Sequence, residues 1–188
     1  VHDAQNEVIL RSIEQIQRAP GRERDLVETL RRLAKLDGIA SPAELRKEAK
    51  SIAASQLADD ALAEAIVREM IKADEADAWA VGELAELRKK AGDHKERFSL
   101  LVRRTELAQD GATIRELRHE AASVARTELA DLPGATDLYE QIFEEEPTDT
   151  RASTALRELY AEQKKQKELL KLLGRLVDVA DKPEERAT

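Results

Sequence analysis

Few side chains in this sequence could do chemistry, and none stands at a reactive spacing. His119-Glu120 opens like a helical zinc motif. That motif needs a second histidine four residues after the first, so that two ring nitrogens share one helix face. Position 123 is Ser, so His119 is expected as an ordinary surface residue. His94 lies in Gly92-Asp93-His94-Lys95-Glu96, where Asp93 reads as a helix cap and Glu96 as its capping-box partner. His2 lies beside the first residue. Glu144, Glu145 and Glu146 are consecutive. Consecutive helix residues point in different directions, so the run reads as a solvated acidic end and not as an acid–base pair. Ser51 and Ser123 have no base spaced to activate them. No Gly-rich phosphate loop occurs, and cysteine is absent, which removes disulfides, thiolate metal sites and Cys nucleophiles. The expectation is a protein that is not an enzyme and takes no metal or cofactor.

The composition suits helices. Charged residues make up 37% of the 188, aromatics only 3%, and Gly and Pro are sparse at 7 and 5. Chains dominated by Ala, Leu, Glu, Arg and Lys are nearly all helix, with aliphatic cores that let helices pack closely. The net charge of -8 argues against nucleic acid as a partner, because phosphate binding needs a basic face. Lys164, Lys165, Lys167 and Lys171 form a local basic face that reads as solvated helix surface. No apolar run reaches the roughly 20 residues that cross a bilayer, and no signal-peptide pattern opens the chain. A cytoplasmic protein is the resulting expectation.

A repeat organises the chain. Glu44 to Ala53 reads ELRKEAKSIA, and Glu116 to Ala125 reads ELRHEAASVA. Both are soon followed by Leu-Ala-Asp, at 57–59 and 129–131, with an offset of 72 throughout. The same offset puts Lys47 on His119, Ile66 on Leu138, Met70 on Ile142, Asp77 on Asp149 and Leu84 on Leu156. A slip of one occurs near Gly38 and Gly111, and the earliest residues join at an offset of 74, which puts Leu10 on Leu84 and Ile13 on Leu87.

Turn signals divide each unit into four stretches, at Asp37-Gly38, Ser41-Pro42, Gly92-Asp93, Asp110-Gly111, Pro133-Gly134, Pro147-Thr148-Asp149 and Asp181-Lys182-Pro183, among others. Between them apolar residues recur at three and four, as in Leu26, Leu30, Leu33 and in Leu169, Leu170, Leu173, Leu176, Val177. The pattern predicts about ten helices of roughly 12 to 18 residues joined by short turns. Gly82 and Gly174 fall inside helices, where close helix contact would explain them. A pair of such helices cannot cover its own apolar stripe and must stack on the next pair. The fold class is therefore all-α, an α-solenoid of stacked antiparallel helix pairs. Residues 1–188 are expected to form a single helical-repeat array. The pattern starts inside a repeat at Val1, and Pro183-Glu184-Glu185-Arg186 reads as another helix opening, so a longer repeat protein is expected.

One segment resembles a known repeat. Ala135-x3-Tyr139-x2-Ile142-x4-Pro147 is similar to the second helix of a tetratricopeptide repeat (TPR), with its small residue, aromatic, apolar residue and helix-ending proline. Leu156 and Tyr160 fall where the family's next first helix carries leucine and tyrosine. Ser153 and Arg157 replace its tryptophan and small glycine. In the other copy, Ala63-x3-Val67-x2-Met70-x4-Glu75 has lost the aromatic and the proline. The resemblance implies a TPR-like superhelix that acts as a scaffold for complex assembly, its first helices lining a concave groove for a protein partner presenting a peptide, helix or small domain. Carried over by position, the groove residues are Trp79, Gly82, Glu83 and Glu86 in one pair and Arg151, Thr154, Glu158 and Glu162 in the other. Two other readings stay open: a structural spacer that associates end to end, and a regulatory domain of an enzyme not contained in this chain.

Overall fold

The computed structural model describes residues 2–180, with side chains from residue 6 onward. The turn expected at Asp181-Lys182-Pro183, the helix opening after it and the side chain of His2 lie outside the described residues. Ten helices fill the described chain, with no strand among them. They are α1 (His2–Gln17), α2 (Glu23–Leu33), α3 (Pro42–Ser55), α4 (Asp60–Ala73), α5 (Ala78–Ala91), α6 (His94–Leu107), α7 (Gly111–Thr127), α8 (Leu132–Glu145), α9 (Thr150–Glu162) and α10 (Gln166–Ala180). Their lengths, 11 to 17 residues, match the spacing of the turn signals.

Aspartate starts most of these helices. Asp59, Asp77, Asp93, Asp110, Asp131 and Asp149 each accept from the backbone N–H three residues on, at 2.8–3.0 Å. A capping carboxylate satisfies one of the orphan donors of the first turn and is worth about 1 kcal/mol. Asp93 caps through Glu96 N–H, as its sequence context predicts.

The repeated Leu-Ala-Asp has a backbone explanation. Ala58 and Ala130 both adopt left-handed φ, +49° and +53°. The amides that follow turn back onto the preceding helix: Asp59 N–H donates to Ala53 C=O at 2.9 Å, and Asp131 N–H to Ala125 C=O at 2.8 Å. These bonds, each reaching six residues back around a left-handed residue, close the helix C-terminus and satisfy one of its orphan carbonyls. The same aspartate then caps the next helix. One tripeptide therefore ends α3 and starts α4, and does the same for α7 and α8.

The chain divides into two compact units, one running to Lys90 and the other from Ala91. In the first, successive helices α1 to α4 pack each on the next. Leu10, Leu26, Leu30, Leu33, Leu45, Ile52 and Ile66 form its core, with Ala49, Ala53 and Ala63 at the close approaches. α5 joins through Lys50–Glu83 and Arg88–Glu64 ion pairs. In the second, α6 to α10 pack in the same consecutive way. Leu101 of α6 meets Leu117, Ala121 and Val124 of α7. Tyr139, Ile142 and Phe143 of α8 meet Leu156, Leu159 and Tyr160 of α9.

Gly174 does not support a close contact. It is exposed, and a Cβ built there meets nothing within 4 Å. It lies on the outer side of α10, which no described helix covers.

Candidate interaction surface

Counted from the tetratricopeptide resemblance of 135–160, the odd-numbered helices take the place of first helices. In the second unit these are α7 and α9. Arg151, Thr154, Glu158 and Glu162 all stand on α9 with their side chains exposed. Three of the four are tied to α7. Arg151 Nη1 donates to both carboxylate oxygens of Glu116 at 2.8 and 2.9 Å. Arg126 donates to Glu158 at 2.8 Å and lies 3.7 Å from Glu162. These exposed ion pairs contribute little to stability individually, roughly 0–1 kcal/mol. Their consequence is positional, because they hold long side chains in a fixed array across two helices. Beside them lies a cleft of about 640 Å³, lined by Arg104, Thr113, Glu116, His119, Glu120, Ser123 and Arg151 among others.

His119 is not the surface residue its sequence context suggests. It is 3% exposed, and its Nε2 lies 2.9 Å from Asp149 Oδ2. Its ring is tilted against Tyr139, with centroids 5.8 Å apart. Asp149 is at the same time the cap of α9, accepting from Ala152 N–H through its other oxygen. Burial works against the Asp149 charge, but the Ala152 amide and His119 outweigh it and hold the carboxyl below the usual aspartate range. The pair therefore locks the floor of the cleft to the N-terminus of α9. The second ligand position of a zinc motif would be Ser123, which is exposed on the cleft rim. Among the described residues no group of three or more His, Asp or Glu side chains is placed to hold a metal ion.

The first unit uses the same positions, with both acids kept and the other two residues changed. Lys47 stands where His119 stands, Asp77 for Asp149, Glu44 for Glu116 and Trp79 for Arg151. Here Lys47 Nζ donates to Glu44 at 2.8 Å and sits 5.2 Å from the centre of the Trp79 ring. Trp79 is 37% exposed, so its ring is a shelf on α5, partly covered by a cation. Glu86 is exposed one helical face along, while Glu83 is half-buried and takes the Lys50 ammonium. Gly82 is buried and presents no surface.

The acidic run is also less free than a solvated end. Arg118 donates to Glu145 at 2.5 Å, and Arg115 lies 4.0 Å from Glu146. His94 lies 3.5 Å from Glu128 at the start of α6. No helix of the described residues is long and apolar enough to cross a membrane.

The fold itself recurs in solved structures. A crystal structure of MamA superposes with a TM-score of 0.51 at 15% identity, covering 90% of this chain and 95% of that one. Another MamA crystal structure gives 0.52 at 14%, covering 98% and 97%. YrrB, described as a TPR protein with an unusual peptide-binding site, gives 0.51 at 16%, covering 95% and 84%. The chain thus has a TPR-like helical-repeat fold, in agreement with the spacing from Ala135 to Pro147. No family model and no curated protein matches its sequence.

Proposed function

We propose that this protein is a non-enzymatic scaffold that holds a protein partner, as a peptide or helix, on its first helices. The observation that carries the reading is the cleft of the second unit. Glu116 and Arg151 line it as an ion pair, His119 lines it with its ring held by Asp149, and the Arg126–Glu158 pair continues the alternation of charge further along the same two helices. Ordered charges of both signs suit a polar extended segment better than a small apolar ligand. Trp79 is the counterpart in the first unit, an exposed aromatic of the kind that anchors binding energy. The likeness to YrrB supports a peptide ligand by analogy of fold.

A peptide library selected on the 188-residue chain tests this. The expected result is an enriched sequence whose affinity falls at least about tenfold in Arg151→Glu or in Trp79→Ala, the loss a central contact carries. No enriched sequence, or binding indifferent to both changes in a folded protein, refutes the groove reading.

A further inference from the structure

We propose that the chain associates end to end with copies of itself, α1 of one copy docking on the outer stripe of α10 in the next. That stripe is Leu170, Leu173 and Val177, which are 70%, 40% and 58% exposed. Their i, i+3, i+7 spacing places them on one helix face. Each lies 34 residues beyond Thr136, Tyr139 and Phe143 of α8. In α8 all three are buried, and α9 supplies much of their cover, beside His119 of α7 against Tyr139 and Arg175 of α10 over Phe143. Gln163 of α9 donates to Thr136 Oγ1 at 2.7 Å, and Tyr139 and Phe143 share a cluster with Leu156, Leu159 and Tyr160. The stripe on α10 is therefore the face with which a second helix receives the first helix that follows it.

α1 has the residues for that role. The offsets that carry Leu10 to Leu84 and on to Leu156 carry Ile9 to Ala155 and Ile13 to Leu159. Leu159 is one of the α9 residues in the cluster with Tyr139 and Phe143, and Ala155 packs partly buried against it. Leu10 is turned into its own unit's core, whereas Ile9 on the adjacent side is 57% exposed and Ile16, two turns on, is exposed as well. One chain thus carries both halves of a joint that the repeat already makes internally. The two halves are different surfaces, so the contact is heterologous. It adds copies head to tail, into an open filament or a ring, instead of closing on a twofold axis.

Sedimentation of the full chain from about 10 μM to about 1 mM covers the range expected for a contact of modest area. The expected result is a weight-average mass that rises past the dimer. A monomer throughout overturns the proposal and assigns the stripe to the chain's own residues after Ala180 or to a foreign helix. Leu173→Asp and Ile9→Asp each spoil one half, so each variant alone stays monomeric while their mixture forms a one-to-one dimer. Association that survives Ile9→Asp but not Leu173→Asp means α10 pairs with α10, and overturns it. Should a variant unfold, cross-linking decides. The chain has no cysteine, so Leu170→Cys and Ile9→Cys introduce single thiols. A mixed product severalfold above either self-product supports the joint, and a mixed product at or below the roughly twofold excess that random pairing gives refutes it.

Discussion

Asp149→Ala removes two interactions with one substitution, and its cost can be worked out. The carboxylate caps α9 through Ala152 N–H at 2.8 Å, a contribution of about 1 kcal/mol. It also holds His119, whose ring is almost fully enclosed, at 2.9 Å. Losing that partner leaves a buried polar group unpaired, which costs about 1–3 kcal/mol. The expected destabilisation is therefore about 2–4 kcal/mol. Asp149→Asn keeps a capping oxygen and a partner for His119, so it should cost about 1 kcal/mol or less. Combining Asp149→Ala with His119→Gln should give a non-additive cycle with a coupling of about 1 kcal/mol.

Urea unfolding followed by tyrosine near-UV circular dichroism is the assay. Both tyrosines, Tyr139 and Tyr160, belong to the second unit, whereas the single tryptophan, Trp79, belongs to the first. The tyrosine transition should shift with the tryptophan transition as internal control. The sign of the pH dependence follows from the depressed carboxyl of Asp149. Its stabilisation is complete above the ordinary aspartate value of about 3.9 and is lost as pH falls through the lower folded value. The wild-type advantage over Asp149→Ala should accordingly shrink below about pH 4. A cost under about 0.5 kcal/mol at pH 7, or strict additivity with His119→Gln, would refute the lock between α7 and α9.

Three further outcomes are expected. Ala130→Gly relieves a left-handed alanine, φ +53°, and should raise stability by about 0.5–1 kcal/mol after the extra unfolded-state entropy of glycine is deducted. A fall in the urea midpoint would contradict it. Gly174→Ala sits in open space within α10 and should add up to about 1 kcal/mol, seen as more helical signal and a higher melting temperature at low protein concentration. Ile142→Ala opens a cavity in the fully enclosed centre of the second unit's core and should cost about 2–5 kcal/mol in the tyrosine transition, leaving the Trp79 transition in place.

Much of the fold is legible in the residues because helix periodicity and helix starts are local properties. The aspartates at 93 and 149 announce caps within three residues of themselves, and the three-and-four spacing of Leu26, Leu30 and Leu33 fixes the buried face of α2. His119 escaped because its partner lies 30 residues away, and the repeat counterpart Lys47 suggested only that the slot takes something long and polar. The repeat alignment keeps Glu44 and Asp77 as Glu116 and Asp149 and changes only Lys47 to His119 and Trp79 to Arg151, and two changes among kept acids do not say which side chains meet. Gly174 misled for a different reason. A glycine in a helix suggests a close neighbour, and no described helix covers that side of α10.

The Leu-Ala-Asp joint has a consequence for how this chain tolerates length. Because Asp131 both closes α7 and opens α8, no residue there is spare. One residue added between Leu129 and Asp131 would turn every side chain of α8 by about 100° about the helix axis and carry Tyr139 out of its cluster. The turns near Gly38 and Gly111 behave otherwise, since the two copies already differ there by one residue while their cores stay in step. Insertions, tags and cleavage sites therefore belong at those glycine turns, and the tripeptide joints are the places where the chain keeps count.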